Sequence, residues 1–282
     1  MRTITTLTAA LAALTLTIGC GDTGGGGSAA TPTAAQSKST QQSEAATDAS
    51  NQTVNAANES IVDAGSGGAV AAKGVPSASR SAASFNFQAN VNLTIDLDDV
   101  DAQGQDRWPN ATGQLNIIAA GSVTGTANAG NAAYDVETKW LTEGVFTDPV
   151  SGVVAKMAAG SGLEYSLSVQ WSYTDDFNWS ISASSDLSGQ HTVTVIDDGV
   201  TYVATASGSR HVEVAFTRTP TSFLIVFAVT GNRTVTVTNG VETHVVTVNM
   251  LGLDNITITV DGVVFGPYTA LQIHQYFHCH ID

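Results

Sequence analysis

Cysteine, basic residues and long apolar runs are all scarce in this chain. Two cysteines, Cys20 and Cys279, occur in 282 residues, too few for a disulfide framework, so stability has to come from packing or from a bound ion. Ten Lys and Arg stand against 25 Asp and Glu, a formal net charge of −15. A surface this acidic repels phosphate backbones, so nucleic acid is not an expected partner; the same field attracts divalent cations. After the first twenty residues no apolar run reaches the roughly 18 residues of a membrane-crossing helix, and the longest is Phe223 to Val229. Four catalytic signatures are missing as well: the Gly-x-Ser-x-Gly elbow, His-Glu-x-x-His, a phosphate-binding loop and Cys-x-x-Cys.

What is present begins at the N-terminus. Arg2 precedes an uncharged Leu/Ala/Thr-rich stretch from Thr3 to Ile18, which ends in Gly19-Cys20-Gly21. A basic start, an apolar centre and a small residue before the cut are the parts of a secretory signal. The ending Ile18-Gly19-Cys20 resembles the lipobox of bacterial lipoproteins, with Thr17 where Leu is more usual. That resemblance implies a signal peptide over residues 1–19, acylation of Cys20 (palmitate among the acyl chains) and a membrane partner reached through lipid. Gly21 stands where an Asp would retain such a protein at the inner membrane, so the implied location is the outer membrane, on its periplasmic or surface side.

Residues 20–83 hold Gly, Ala, Ser, Thr, Gln and Asn with no aromatic residue. So little apolar surface does not repay the entropy of ordering the chain. The expectation is a flexible tether with a mean reach of about 45 Å, in which Val54, Ala57 and Ile61 have the spacing of a short frayed helix.

At Phe85 the pattern changes. Apolar Phe85, Phe87, Ala89, Val91, Leu93, Ile95 and Leu97 alternate with polar residues, which predicts a half-buried strand of about 43 Å, more than twice the usual length. Further alternations start at Leu115, Tyr134 and Leu163, and Phe177 to Ala183 returns from a turn at Asp175-Asp176. Asp198-Gly199, Asn239-Gly240 and Asp261-Gly262 supply the positive-φ pairs of type I′ hairpins. Phe223 to Val229 does not alternate, as expected of a strand covered on both faces. The fold expected for residues 84–270 is therefore all-β: one large antiparallel sheet, sandwich or barrel-like, of about 12 to 14 strands.

Three groups of residues could carry chemistry. The acidic stretch Asp96, Asp98, Asp99, Asp101 and Asp106 includes Asp99-x-Asp101-x-Gln103-Gly104. It is similar to the start of a calcium loop, although Asn110 at the twelfth position cannot supply a bidentate carboxylate; the other reading is a solvated acidic loop at a sheet edge. In the tail, residues 271–282, His274, His278, Cys279 and His280 are soft or borderline ligands suited to copper or zinc. The string His278-Cys279-His280-Ile281-Asp282 is similar to the copper-ligand string of multicopper oxidases, but the paired His-x-His segments of that family are absent. The alternative there is a tail without a metal. The aromatic set Trp140, Trp171, Tyr173, Phe177 and Trp179 reads as core rather than as a carbohydrate- or lipid-binding face, and the isolated His191, His211 and His244 read as surface or structural.

These observations lead to an exported, lipid-anchored β protein with a structural or ligand-binding role and an unidentified protein or glycan partner. The alternatives are a periplasmic or surface enzyme acting on glycans, for which Glu164 and Glu213 are the acidic candidates, and a copper- or zinc-handling lipoprotein using its tail. A membrane-spanning barrel ranks last, because the chain ends in Asp282 rather than an aromatic residue.

Overall fold

The computed structural model describes residues 32–71, 84–99, 108, 110–126, 128–148, 151–175, 178–269 and 272. Among these residues thirteen strands follow one helix, α1 (Ala34–Ala71). They are β1 (Phe85–Asp96), β2 (Ala111–Thr112), β3 (Gln114–Gly125), β4 (Ala129–Trp140), β5 (Gly144–Thr147), β6 (Val154–Met157) and β7 (Glu164–Asp175). The long strands β8 (Asn178–Asp197), β9 (Val200–Arg218) and β10 (Phe223–Thr238) come next, then β11 (Thr243–Met250), β12 (Ile256–Val260) and β13 (Val263–Tyr268). All pair antiparallel in a single sheet of order β1-β3-β4-β7-β8-β9-β10-β11-β12-β13, and β2, β5 and β6 form a side ladder that joins at β8. The all-β antiparallel expectation holds, and the sheet does not close into a barrel.

The sheet bends because three strands are too long to stay in one plane. The first part of β8 pairs with β7, from Asn178 to Leu187, and its last part with β6, from Thr194 to Ile196. Likewise β10 pairs with β9 along its length but with β11 only from Gly231 to Thr238. The three long strands therefore belong to two wings, one built with β1, β3, β4 and β7, the other with β5, β6 and β11 to β13. Where they pass from one wing to the other, each carries a glycine at positive φ: Gly189 at 111°, Gly208 at 121° and Gly231 at 149°. A Cβ on Gly208 would stand 2.1 Å from the Asn232 carbonyl oxygen, so the strands can cross this close only without side chains.

The larger of two core clusters among the described residues lies between the wings; the smaller, Val246, Ile258, Val260, Phe265 and Tyr268, packs within β11 to β13. Leu115, Ile117, Ala119, Val136 and Trp140 of the first wing share the larger one with Val193, Val195, Ala204, Ala206, Val235 and Val237 of the second. Helix α1 belongs to the same core through Ala45, Ala46, Ala49, Val54, Ala57 and Ile61. The flexible-tether expectation for residues 20–83 is thereby corrected over 34–71. Composition misled because the buried helix is polar: Ser37, Ser39, Thr40, Gln42, Ser43, Ser50, Thr53, Asn58 and Ser60 are all buried. Six of its hydroxyls are satisfied inside the helix itself. Ser39, Thr40, Thr47, Ser50, Thr53 and Ser60 each donate to the carbonyl four residues back, at 2.7 to 3.1 Å. Small Ala and Ser side chains then allow the helix to approach both wings. A capping box starts it, with Gln36 N–H donating to Thr33 Oγ1 and Thr33 N–H donating to Gln36 Oε1. The spacing of Val54, Ala57 and Ile61 was a true signal of this helix, but of its buried face rather than of a frayed turn.

Two of the three expected type I′ turns form: Asp198 and Gly199 have φ of 51° and 76°, and Asp261 and Gly262 have 50° and 84°. The third differs. β10 and β11 are joined by four residues, because Asn239 Oδ1 accepts the N–H groups of Val241 and Glu242 and folds the loop locally.

Candidate functional site

Polar groups of α1 meet the sheet at three places. At the β8–β9 turn, Lys38 Nζ lies 2.9 Å from Asp198 Oδ2 and Gln42 Nε2 donates to Asp197 Oδ2 at 2.7 Å. Farther along, Tyr165 donates its hydroxyl to Asn58 Oδ1 at 2.7 Å, both groups buried. Between them, at the bend, sits a cluster of Ser50, His191 and Arg233, with Arg210 bonded to Asn51 beside it.

Ser50 Oγ is 2.5 Å from His191 Nε2, a separation that invites comparison with a nucleophile and its base. Arg233 Nη2 is 2.7 Å from the same nitrogen. A guanidinium only donates, so Nε2 is an acceptor already engaged and the proton of the neutral ring sits on Nδ1. Burial, with the Arg233 charge added, pushes His191 down to about 4. Burial also lowers Arg233, to about 10, which leaves it charged at neutral pH. Ser50 is fully buried. The crevice beside the cluster, lined by Gly189, Ser207, Gly208 and Arg210 among others, holds about 10 Å³, room for no more than one water. The arrangement locks the helix to the sheet; it has neither a free base nor space for a substrate.

Of the calcium candidates, Asp101 and Asp106 lie outside the described residues. Asp96 Oδ1 accepts the Asp98 N–H and its Oδ2 accepts Gln114 Nε2, so its carboxylate already closes an Asx-type turn at the end of β1, and these hydrogen bonds, Gln114 first and then Asp98, hold its pKa below the ordinary Asp value. Asp98 and Asp99 are exposed beside it. Among the described residues no three His, Cys, Asp or Glu side chains are gathered as a metal site. Cys20, His274, His278, Cys279 and His280 lie outside the described residues. Glu164 and Glu213 lie on one sheet face, but on strands two apart and four residues out of step. That offset separates them by about 17 Å, beyond the roughly 5 to 9.5 Å of a glycosidase pair. His211 and His244 are structural, each 2.7 Å from a cross-strand carboxylate, Asp186 and Asp261 respectively.

The aromatic set divides. Trp140 is fully buried against Phe146, edge to face, whereas Trp171 and Trp179 are half-buried and Tyr173 is exposed; Phe177 lies outside the described residues. Trp171, Tyr173 and Trp179 belong to the part of the first wing farthest from the bend, where rows of apolar side chains continue beyond the helix. Registers place Trp171, Ile181, Phe216 and Ile225 in one row and Tyr173, Trp179, Arg218 and Phe223 in the next. Phe223 sits 6.1 Å from the Trp179 ring and 6.3 Å from the Phe216 ring.

Compared with known protein families, characterised proteins and solved structures, the chain matches none.

The first half of β10 is the feature that sequence reading misjudged. Phe223, Leu224, Ile225 and Val226 are 57, 56, 55 and 48% exposed. The missing alternation of Phe223 to Val229 thus does not mark a doubly covered strand. From Phe223 to Thr230 β10 pairs with β9 alone among the described strands, because β11 is too short to follow it past Gly231. The result is an apolar edge beside an aromatic sheet face, in contrast to the charged or short edges that keep β proteins apart.

Proposed function

We propose that this chain is an exported, lipid-anchored β protein with a structural or ligand-binding role, held at the outer membrane through Cys20 and making its contacts with the far end of its first wing. The observation that carries this reading is what occupies the sheet. Among the described residues helix α1 packs into the core between the wings, so a partner meets the outer surface of the protein. There Phe223 to Val226 form the longest consecutive run of exposed large apolar side chains among the described residues, and exposed apolar surface of this kind marks contact sites. The engaged Nε2 of His191 and the wide separation of Glu164 from Glu213 give no support to the glycan-enzyme alternative.

Metabolic labelling with a palmitate analogue tests the anchor. Wild-type protein takes up label and fractionates with outer membrane, and Cys20→Ala does neither. Equal labelling of the two chains, or none in either, refutes the anchor.

A further inference from the structure

We infer that the open half of β10 pairs antiparallel with the same strand of a second copy, forming a two-fold dimer in which one sheet runs through both molecules. This rests on the proposal that the far end of the wing is a contact surface. Backbone direction is fixed by the loops at either end of β10. Thr219 N–H donates to Ser222 O, so counting along the ladder points the N–H and C=O groups of Phe223, Ile225, Phe227 and Val229 away from β9. At the other end Asn239 N–H donates to Glu242 O, which directs the odd-numbered residues of β10 toward β11 and gives the same answer. Four N–H and four C=O groups per copy therefore face the open side.

A two-fold axis at Val226 closes all of them. Phe223 meets the partner's Val229 and Ile225 meets the partner's Phe227, each as a doubly hydrogen-bonded pair, while Leu224 lies opposite the partner's Ala228. Apolar side chains oppose one another on both faces of the sheet, with Phe223 against Val229 and Leu224 against Ala228. No residue from Phe223 to Val229 is charged, so two copies of a strongly acidic chain meet without like charges in register. A copy of this strand closes all four outward N–H and all four outward C=O groups of each molecule while setting uncharged apolar side chains opposite one another. The four exposed side chains offer roughly 400 Å² per copy, a functional patch but below the roughly 800 Å² of a standard interface. The dimer is therefore weak in solution, and two anchored copies on one membrane would meet at a higher effective concentration.

Disulfide trapping in the full chain tests this. In a Cys20→Ser, Cys279→Ser background, Val226→Cys places two sulfurs across the axis in a non-hydrogen-bonded pair. The Cα separation there is about 4.5 Å, within disulfide reach. Thr217→Cys, one strand in on the same face, is the control. Mild oxidation at about 10 µM should yield mainly covalent dimer for Val226→Cys and at least tenfold less for Thr217→Cys. Adding Ile225→Pro removes an outward N–H without touching the β9 ladder; the trapped fraction should fall about tenfold while the circular dichroism spectrum stays the same. Equal trapping at the two positions, or sedimentation as a monomer up to about 100 µM, a concentration that covers weak association, overturns the proposal. So does binding of the edge to lipid vesicles or to an unrelated apolar peptide with no dimer formed. Because these chains lack Cys20, a failed acylation experiment leaves the dimer result standing, and a monomer leaves the anchor standing.

Discussion

A proline at Ala49 tests whether the polar helix is part of the core. Ala49 is fully buried in the middle of α1, and its carbonyl accepts the Thr53 hydroxyl at 2.8 Å. Ala49→Pro removes a main-chain hydrogen bond and drives the ring into the preceding turn, a cost of about 3 kcal/mol or more in a helix interior. Downstream, Val54 and Ile61 are 7 and 2% exposed, and burying such side chains contributes about 1.5 to 3 kcal/mol each. If the second half of the helix undocks with the kink, the total loss is about 6 to 9 kcal/mol, comparable to the whole stability of a typical domain. Even the backbone cost alone lowers the melting temperature by about 6 to 12 °C at this chain length. Thermal melts followed by circular dichroism measure the shift, and hydrogen exchange across residues 45–61 locates it: protected in the wild type, exchanging within minutes in the variant. A melting temperature unchanged within about 2 °C, or fast exchange of residues 45–61 in the wild type, refutes the docked helix and restores the tether.

His191 makes the helix–sheet contact sensitive to acid. Its folded value of about 4 lies below the ordinary 6.5 or so, so the unfolded chain binds a proton first. This contribution to stability is complete above about pH 6.5 and is lost as the pH falls toward 4, by at most about 3 kcal/mol and less in practice because the ring is partly exposed. Urea midpoints between pH 7 and pH 4 should fall less steeply for His191→Gln than for wild type; parallel curves would contradict the assignment. Tyr165→Phe leaves the buried Asn58 oxygen without its 2.7 Å donor and should cost about 1 to 3 kcal/mol, read as a lower melting temperature. No change would mean that Asn58 does not sit against the sheet.

Strand identity and most hairpins were legible in the sequence because a half-buried strand writes its environment every second residue. The alternations beginning at Phe85, Leu115, Tyr134 and Leu163 fall on β1, β3, β4 and β7, and Asp198-Gly199 and Asp261-Gly262 fix their turns by local chemistry alone. Where local signals compete, neighbours decide. Asn239-Gly240 closes a longer loop because the Asn side chain captures two N–H groups, a choice that composition does not record.

Tertiary structure alone decided the role of α1 and of β10. A helix of Ala, Ser, Thr, Gln and Asn has the composition of a linker, and only enclosure between two wings, with hydroxyls bonded to their own carbonyls, makes its burial tolerable. The apolar run Phe223 to Val229 has the composition of a covered strand, and only the length of β11 determines that half of it is open. Composition reports how much apolar surface a segment owns. Which segment covers it depends on strand lengths and on the glycine bend at 189, 208 and 231, contacts set by residues far apart in the chain.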